Sequence, residues 1–310
     1  MEDNLALLVV GSIALDTVET PNDKVDNALG GSSSYISLAA SYFTDPVHLI
    51  GVVGDDFPKE HIEKYKEHGI NIEGLEIIPG GKTFRWGGRY HTDLNVRDTL
   101  FTELGVFESF SPKIPEDVRD DKYVVLGNIH PALQLQVLEQ LKSPKLIICD
   151  TMNLWIDTAL DGLKEVIKKV DVLIINDSEA KMIAEEDNLI KAAKIIRNMG
   201  PSTLIIKKGE HGALLFKDDK IFAAAAYPLE EIFDPTGAGD TFAGGFAGYL
   251  SRTGDLGFEN MKRAVIYGSA AASFCVEDFS TKKIESVSLD EIHQRFLRFK
   301  ELTEFKDAEL

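Results

Sequence analysis

Short, fully apolar runs alternate with helical segments along most of this chain, and that alternation leaves few folds open. The runs are LALLVVGSI (5–13), VHLIGVVG (47–54), YVVLGN (123–128), KLIICD (145–150), DVLIIN (171–176) and TLIIKKG (203–209). Between them lie helical patterns at 33–43, 58–69 and 131–141, one continuing to about residue 169, and two pieces ending near Gly200. Strands apolar on both faces belong to a parallel sheet covered by helices on each side. The expected class is α/β, a three-layer α/β/α sandwich with a mainly parallel central sheet. Two segments break the rhythm. GALLFKDDKIFAAAA (212–226) reads as a hairpin, and 71–110, containing GKTFRWGGRYHTD, reads as an antiparallel excursion serving as a small β lid. Helices are expected at 238–252, 257–277 and 288–306. With no repeat or Pro/Ser-rich linker, residues 1–310 are expected to form a single domain.

The formal charge of −18 opposes nucleic acid and anionic membranes as partners, but not a small polyanion in a locally positive site. No apolar run approaches the ~18 residues of a membrane span. MEDNLALLVVGS lacks the basic start of a signal peptide. Cys149 and Cys275 sit in apolar runs and read as core thiols, which suits a reducing, cytoplasmic setting. PGGKT (79–83) ends like a P-loop, but Glu76 stands where the first glycine is required, so a turn is expected.

The densest signal is FDPTGAGDTFAGGF, Phe233 to Phe246. A helix is expected to start near Ala238, and glycines at 237 and 239 permit close approach to its first N–H groups. Helix N-termini hold anions, including phosphoryl oxygens. Asp240 falls in the first turn, where a carboxylate is placed to take a proton from a hydroxyl. A bland alternative is an acidic residue favouring the helix dipole after a glycine turn. Gly244, Gly245 and Gly248 would keep the helix thin for close packing.

DPTGAGDTFAGGF resembles the signature of the PfkB, or ribokinase-like, family of carbohydrate and nucleoside kinases. Other features follow in the family's order. LLVVGSIALD ends in Asp16, at the place of the aspartate that binds substrate hydroxyls. Gly30-Gly31 open a helix beneath the substrate, although Ser34 and Tyr35 follow where many sugar kinases carry an asparagine. Asn176-Asp177-Ser178-Glu179 matches the family's N-x-x-E motif at the magnesium and phosphate region; the same spacing is also a helix capping box. KKGEHGALLF (207–216) is similar to the turn edging the nucleotide, with Gly209 and Gly212 as its glycines. Its lysines, Lys207 and Lys208, are expected in solvent, with one offsetting phosphate charge. AVIYGSAAASFCVEDFSTKKI (264–284) resembles the segment flanking adenine.

Asn128, Asp150 and Asn176 each end a strand and are expected to face one crevice, where ligands of open α/β sheets collect. After Asp150 and Asn153 come Leu154 and Trp155, where family members often have an arginine. Arg85 and Arg89 share one strand face, fit to clamp a carboxylate or phosphate, or to form surface ion pairs or a subunit interface.

The resemblance implies ATP-dependent phosphorylation of a hydroxyl on a sugar or nucleoside. Asp240 is the implied base and Gly237, Ala238 and Gly239 the anion hole; Thr236, Lys208, Gly209, Gly212 and Gly239 line the nucleotide site. Asn176 and Glu179 are implied beside Mg²⁺, and a monovalent cation such as K⁺ beside the Asp234 loop. A homodimer through the lid is expected. Two rivals stand beside this reading. One is a non-catalytic nucleotide- or metabolite-binding regulator on the same fold, suggested by the Ser34-Tyr35 departure. The other is a nicotinamide enzyme, opposed by the lack of GxGxxG after the first strand.

Overall fold

The computed structural model describes residues 6–305. Leu5 of the first expected strand, the first five residues of the N-terminal segment and position 306 of the last expected helix lie outside the described residues. The strands are β1 (Leu7–Val10), β2 (Ala14–Glu19), β3 (Lys24–Gly30), β4 (Val47–Gly54), β5 (Ile70–Asn71), β6 (Leu75–Ile78), β7 (Phe84–Tyr90), β8 (Arg97–Glu103), β9 (Tyr123–Leu126), β10 (Leu146–Asp150), β11 (Val172–Asn176), β12 (Thr203–Lys207), β13 (Ala213–Lys217) and β14 (Lys220–Ala224). The helices are α1 (Ser32–Ser41), α2 (Lys59–Glu67), α3 (Pro131–Gln140), α4 (Asn153–Thr158), α5 (Leu160–Ile167), α6 (Asp177–Ala184), α7 (Leu189–Arg197), α8 (Ala238–Thr253), α9 (Phe258–Cys275), α10 (Lys282–Ser286) and α11 (Leu289–Thr303).

The central sheet runs β14-β13-β12-β11-β10-β9-β1-β4-β5, with β6 also paired to β4. Its pairings are parallel except in the β12-β13-β14 hairpin. Leu7 and Val9 enter one core layer, with α1, α8 and α9, while Leu8 and Val10 enter the other, with α3, α5 and α7. Strict alternation thus feeds two cores from one apolar strand, so a run with no polar residue still has two distinct faces. From β1 the chain turns one way to β4 and the other way to β9 and onward, creating the switch point where α/β sheets bind ligands. A Cβ at Gly244 or Gly248 of α8 would fall within 3 Å of the α1 backbone, which explains why the helix is thin there.

The second sheet departs from expectation. Its order is β3-β2-β7-β8, so half of it comes from residues 14–30, ahead of α1. The β2–β7 seam is parallel and the outer pairs antiparallel, so the sheet is mixed. Residues 75–78, placed in the excursion by sequence, instead join the central sheet as β6. PGGKT is a turn with Gly80 at φ 70°. The long helix expected to residue 169 breaks at Ala159, whose φ of −142° and ψ of 32° are not helical.

Candidate active site

α8 begins at Gly237, whose φ of 77° lies in the left-handed region open to glycine. A Cβ there would strike the Tyr35 ring at 2.3 Å. Tyr35, expected at the substrate, is therefore packed beneath the glycine turn and almost wholly buried. Of the N–H groups expected to bind an anion, that of Ala238 is taken up within the turn. The Ala238 N–H donates to the Pro235 carbonyl at 3.3 Å and that of Thr241 to Gly237 at 2.8 Å. Among the described residues, no protein group takes the N–H groups of Gly237, Gly239 or Asp240.

Asp234 fastens this turn. Its fully buried carboxylate accepts from Thr236 N at 2.8 Å and from Ser280 N at 3.0 Å. Thr236 Oγ1 lies 3.0 Å from the Tyr90 phenol on β7, so the second sheet touches the turn directly. Asp240 carries a buried Oδ1 with no hydrogen-bond partner among the described residues. Burial, then the charge of Asp150, raises its carboxyl to about 7, against the pull of Lys207 and Arg97.

Asp16 lies across the cleft on β2. A Cβ on Gly30 would sit 2.0 Å from Asp16 Oδ2, so the glycine is what admits this carboxylate. Its Oδ1 is buried without a partner among the described residues. Burial, and then the charges of Asp234 and Asp240, push Asp16 up to about 8. Register pairs Asp16 with Trp86, so both face one side of the second sheet. The Arg97 guanidinium lies 5.1 Å from the Trp86 ring centre and lowers the carboxyls of Asp16, Asp240 and Glu179.

Asn176 and Glu179 form a capping box at α6: Asn176 N donates to Glu179 Oε2, and Glu179 N to Asn176 Oδ1, each at 2.8 Å. Burial, then Asp150, raises Glu179 to about 7. Both side chains are thus committed to the cap, and no cluster of three His, Cys, Asp or Glu side chains among the described residues could hold a metal. The pair fits a hydrated cation held mainly by phosphate oxygens, the habit of Mg²⁺. Asn176 also borders a groove of about 830 Å³, whose walls include Lys208, Gly209, Gly212, Gly239, Tyr227 and Val276. Gly209 and Gly212 sit at φ 52° and 81°, forming the expected turn. The Ser269–Val276 stretch of wall comes from the segment expected beside adenine.

Three expected substrate residues are elsewhere. Ser34 is fully buried and bonds Gly30 O at 2.7 Å and Tyr65 Oη at 2.8 Å. Asn128 accepts from Trp155 Nε1 at 2.8 Å and approaches Met152 Sδ at 3.1 Å. Arg85 pairs with Asp56 at 3.1 Å and Asn27, on the face of β7 opposite Trp86 and Tyr90.

Lys207 corrects the expectation of a solvated side chain. Only 19% exposed, its ammonium stands 3.6 Å from Asp150 Oδ1. Register sets it beside Asn176, at the carboxyl ends of β11 and β12. Its position as the polar last residue of an apolar strand was the available signal. Tyr90 and Arg97 were also passed over as site groups, because only the second sheet's folding brings them in. Cys149 and Cys275 are buried free thiols, as expected.

Residues 5–286 match the family model described as pfkB family carbohydrate kinase. The chain is 33% identical to a cytidine kinase of Thermococcus kodakarensis over 79% of this chain and 88% of that one. A Burkholderia thailandensis nucleoside kinase solved with inosine superposes with a TM-score of 0.78 at 20% identity, covering 97% of this chain and 100% of that one. An Arabidopsis thaliana ribokinase complexed with ribose and ATP gives 0.74 at 20% identity, covering 94% and 98%. This chain shares the ribokinase-like fold of the two solved kinases. The chain belongs to the pfkB family of carbohydrate kinases, phosphotransferases that take a hydroxyl group as acceptor.

Proposed function

We propose that this kinase transfers the γ-phosphoryl group of ATP to a ribose hydroxyl of a nucleoside. The observation that carries the reading is Asp240: a half-buried carboxylate in the first turn of α8 whose buried Oδ1 has no partner among the described residues, beside N–H groups without protein acceptors there. A carboxyl raised to about 7 is basic enough to take a hydroxyl proton near neutrality. The acceptor oxygen forms its bond to the γ-phosphorus as the bond to the β,γ-bridging oxygen breaks. The proton goes to Asp240, and ADP leaves with the electron pair. The N–H groups of Gly237, Gly239 and Asp240 receive the charge that gathers on the phosphoryl oxygens.

Asp16 supports the sugar end. Its orphaned Oδ1 is suited to a hydroxyl, as the family resemblance implies. The nucleoside is favoured over a free sugar by the cytidine kinase relative. The groove beside α8 suits the adenine nucleotide. Mg²⁺ bound with the triphosphate would supply charge neutralisation, and Asn176 and Glu179 are the residues that would stand beside it. Exposed Leu100 and Phe101 on β8 support a lid-to-lid dimer, and a K⁺ ion beside the Asp234 turn completes the proposal.

The test is ADP release with Mg-ATP against nucleosides, sugars and sugar acids. Turnover with nucleosides at least tenfold above every sugar is expected. Turnover confined to free sugars would replace the nucleoside, and ATP binding without turnover on any acceptor would favour the regulator.

A further inference from the structure

Two positive elements face one small space at the end of β12. One is the N-terminus of α8, whose first N–H groups carry partial positive charge. The other is the Lys207 ammonium, which a Cβ on Gly239 would approach to 2.7 Å. A cation at the positive end of a helix is electrostatically misplaced unless an anion lies between them.

The contacts of Lys207 do not resolve this. Among the described residues its single ionic partner within 4 Å is Asp150, at 3.6 Å, longer than a charge-assisted hydrogen bond of about 2.7–2.9 Å. An ammonium has three protons to place. The Asp150 oxygen on that side also accepts Thr151 N at 2.9 Å, so it is shared. Burial pulls the Lys207 ammonium down, but Asp150, Glu179 and Asp240 together outweigh it and keep it charged. The side chain is therefore charged, largely buried and loosely held.

We propose that Lys207 is a catalytic residue of the phosphoryl transfer, exchanging Asp150 for the γ-phosphoryl oxygens of the donor, which it grips from the side opposite the Gly239 N–H. This rests on the kinase reading above. The lysine neither gives nor takes a proton. It offsets charge on the equatorial oxygens while the acceptor proton passes to Asp240 and the electron pair leaves with ADP. Asp150, once released, keeps a counter-charge in the divalent cation that accompanies the triphosphate.

Calorimetric binding of AMP and of a non-hydrolysable ATP analogue, each in EDTA and in Mg²⁺, tests the exchange on wild type, Lys207→Met and Asp150→Asn. Lys207→Met is expected to weaken the triphosphate about 10- to 100-fold, the worth of a lost charge-assisted contact, and to leave AMP unchanged. Asp150→Asn is expected to bind the metal-free triphosphate more tightly than wild type, because the competing carboxylate is gone. Wild-type triphosphate affinity in Lys207→Met, equal loss of AMP, or equal weakening by both variants would make the pair a structural unit and overturn the proposal. If Lys207→Met does not fold, the direction of the Asp150→Asn change decides. With wild-type turnover intact, such results remove Lys207 alone. A wild type that binds no triphosphate removes the kinase reading as well.

Discussion

The Tyr90 phenol lies 3.0 Å from the Thr236 hydroxyl, joining the second sheet to the turn that starts α8. Thr236 N in turn donates to Asp234 at 2.8 Å. The second sheet thus braces the turn that the proposed mechanism uses to receive the phosphoryl group. Tyr90→Phe keeps the ring and removes the bond. One buried hydrogen bond is worth about 0.5–1.5 kcal/mol, so kcat is expected to fall roughly three- to tenfold. Hydrolysis of ATP without acceptor should rise relative to transfer, since water exclusion weakens. Steady-state kinetics with and without acceptor measure both, and an unchanged ratio would detach the sheet from catalysis.

The proposed mechanism needs Asp240 deprotonated, and its carboxyl is raised to about 7 by burial and by Asp150. Activity is therefore expected to rise with pH up to about 7 and to drop as pH falls below it. In Asp240→Asn kcat should fall by about 10²–10⁴, the usual worth of a general base, and the acidic limb should vanish. Affinity for ATP should hold within about threefold, because the N–H groups stay in place. A pH–rate profile of both proteins checks this; an acidic limb kept by the variant would assign the base elsewhere.

Asp16 predicts a conflict between function and stability. Its folded carboxyl is raised to about 8, so the folded chain keeps a proton that the unfolded chain releases above about 4. That contribution to stability is full below pH ~4 and is lost as pH climbs through about 8. Asp16→Asn imitates the neutral carboxyl at every pH. Its ligand-free Tm should match wild type only below about pH 4 and exceed it increasingly as pH rises, by at least roughly 2–4 °C at pH 8.5, equivalent to about 1 kcal/mol or more. KM for the acceptor should rise at the same time. Melting curves that stay parallel across this range would exclude the shift.

Arg85 is expected to matter little for turnover. It faces Asp56 and Asn27, on the side of β7 away from Asp16. Arg85→Ala should change kcat/KM by less than about threefold and cost up to about 1 kcal/mol in denaturant unfolding, as for a partly exposed ion pair. A tenfold rise in KM would return the arginine to the substrate.

The central sheet was legible because its strands are uniformly apolar and bounded by helices with clear ends; β4 was read to the residue. Asp240, Gly237 and the Gly209–Gly212 turn were legible because their spacing is local. The second sheet was half missed, for a physical reason. KVDNALG of β3 is mostly exposed and carries no alternation, and Asn27 adopts a φ of 54° within it. Every residue of β8 is exposed, so no apolar period marks it. Lys207 was misread because burial of a charge is set by three carboxylates distant in sequence. Ser34 and Asn128 were misread because their partners, Tyr65 and Trp155, lie 31 and 27 residues away.

The two halves of the second sheet leave the chain at separate points, β2 and β3 between β1 and α1, and β7 and β8 between β6 and β9. Their backbones pair along the parallel β2–β7 seam, and Arg85 of β7 also reaches Asn27 of β3. Neither hairpin is therefore a transferable cassette. Exchanging acceptor preference with a relative means cutting the chain at four junctions and matching a seam whose two sides come from different donors' segments. Single substitutions on the inner row of Asp16, Trp86 and Tyr90 leave the seam intact, so substrate range in this architecture is more open to stepwise drift than to recombination.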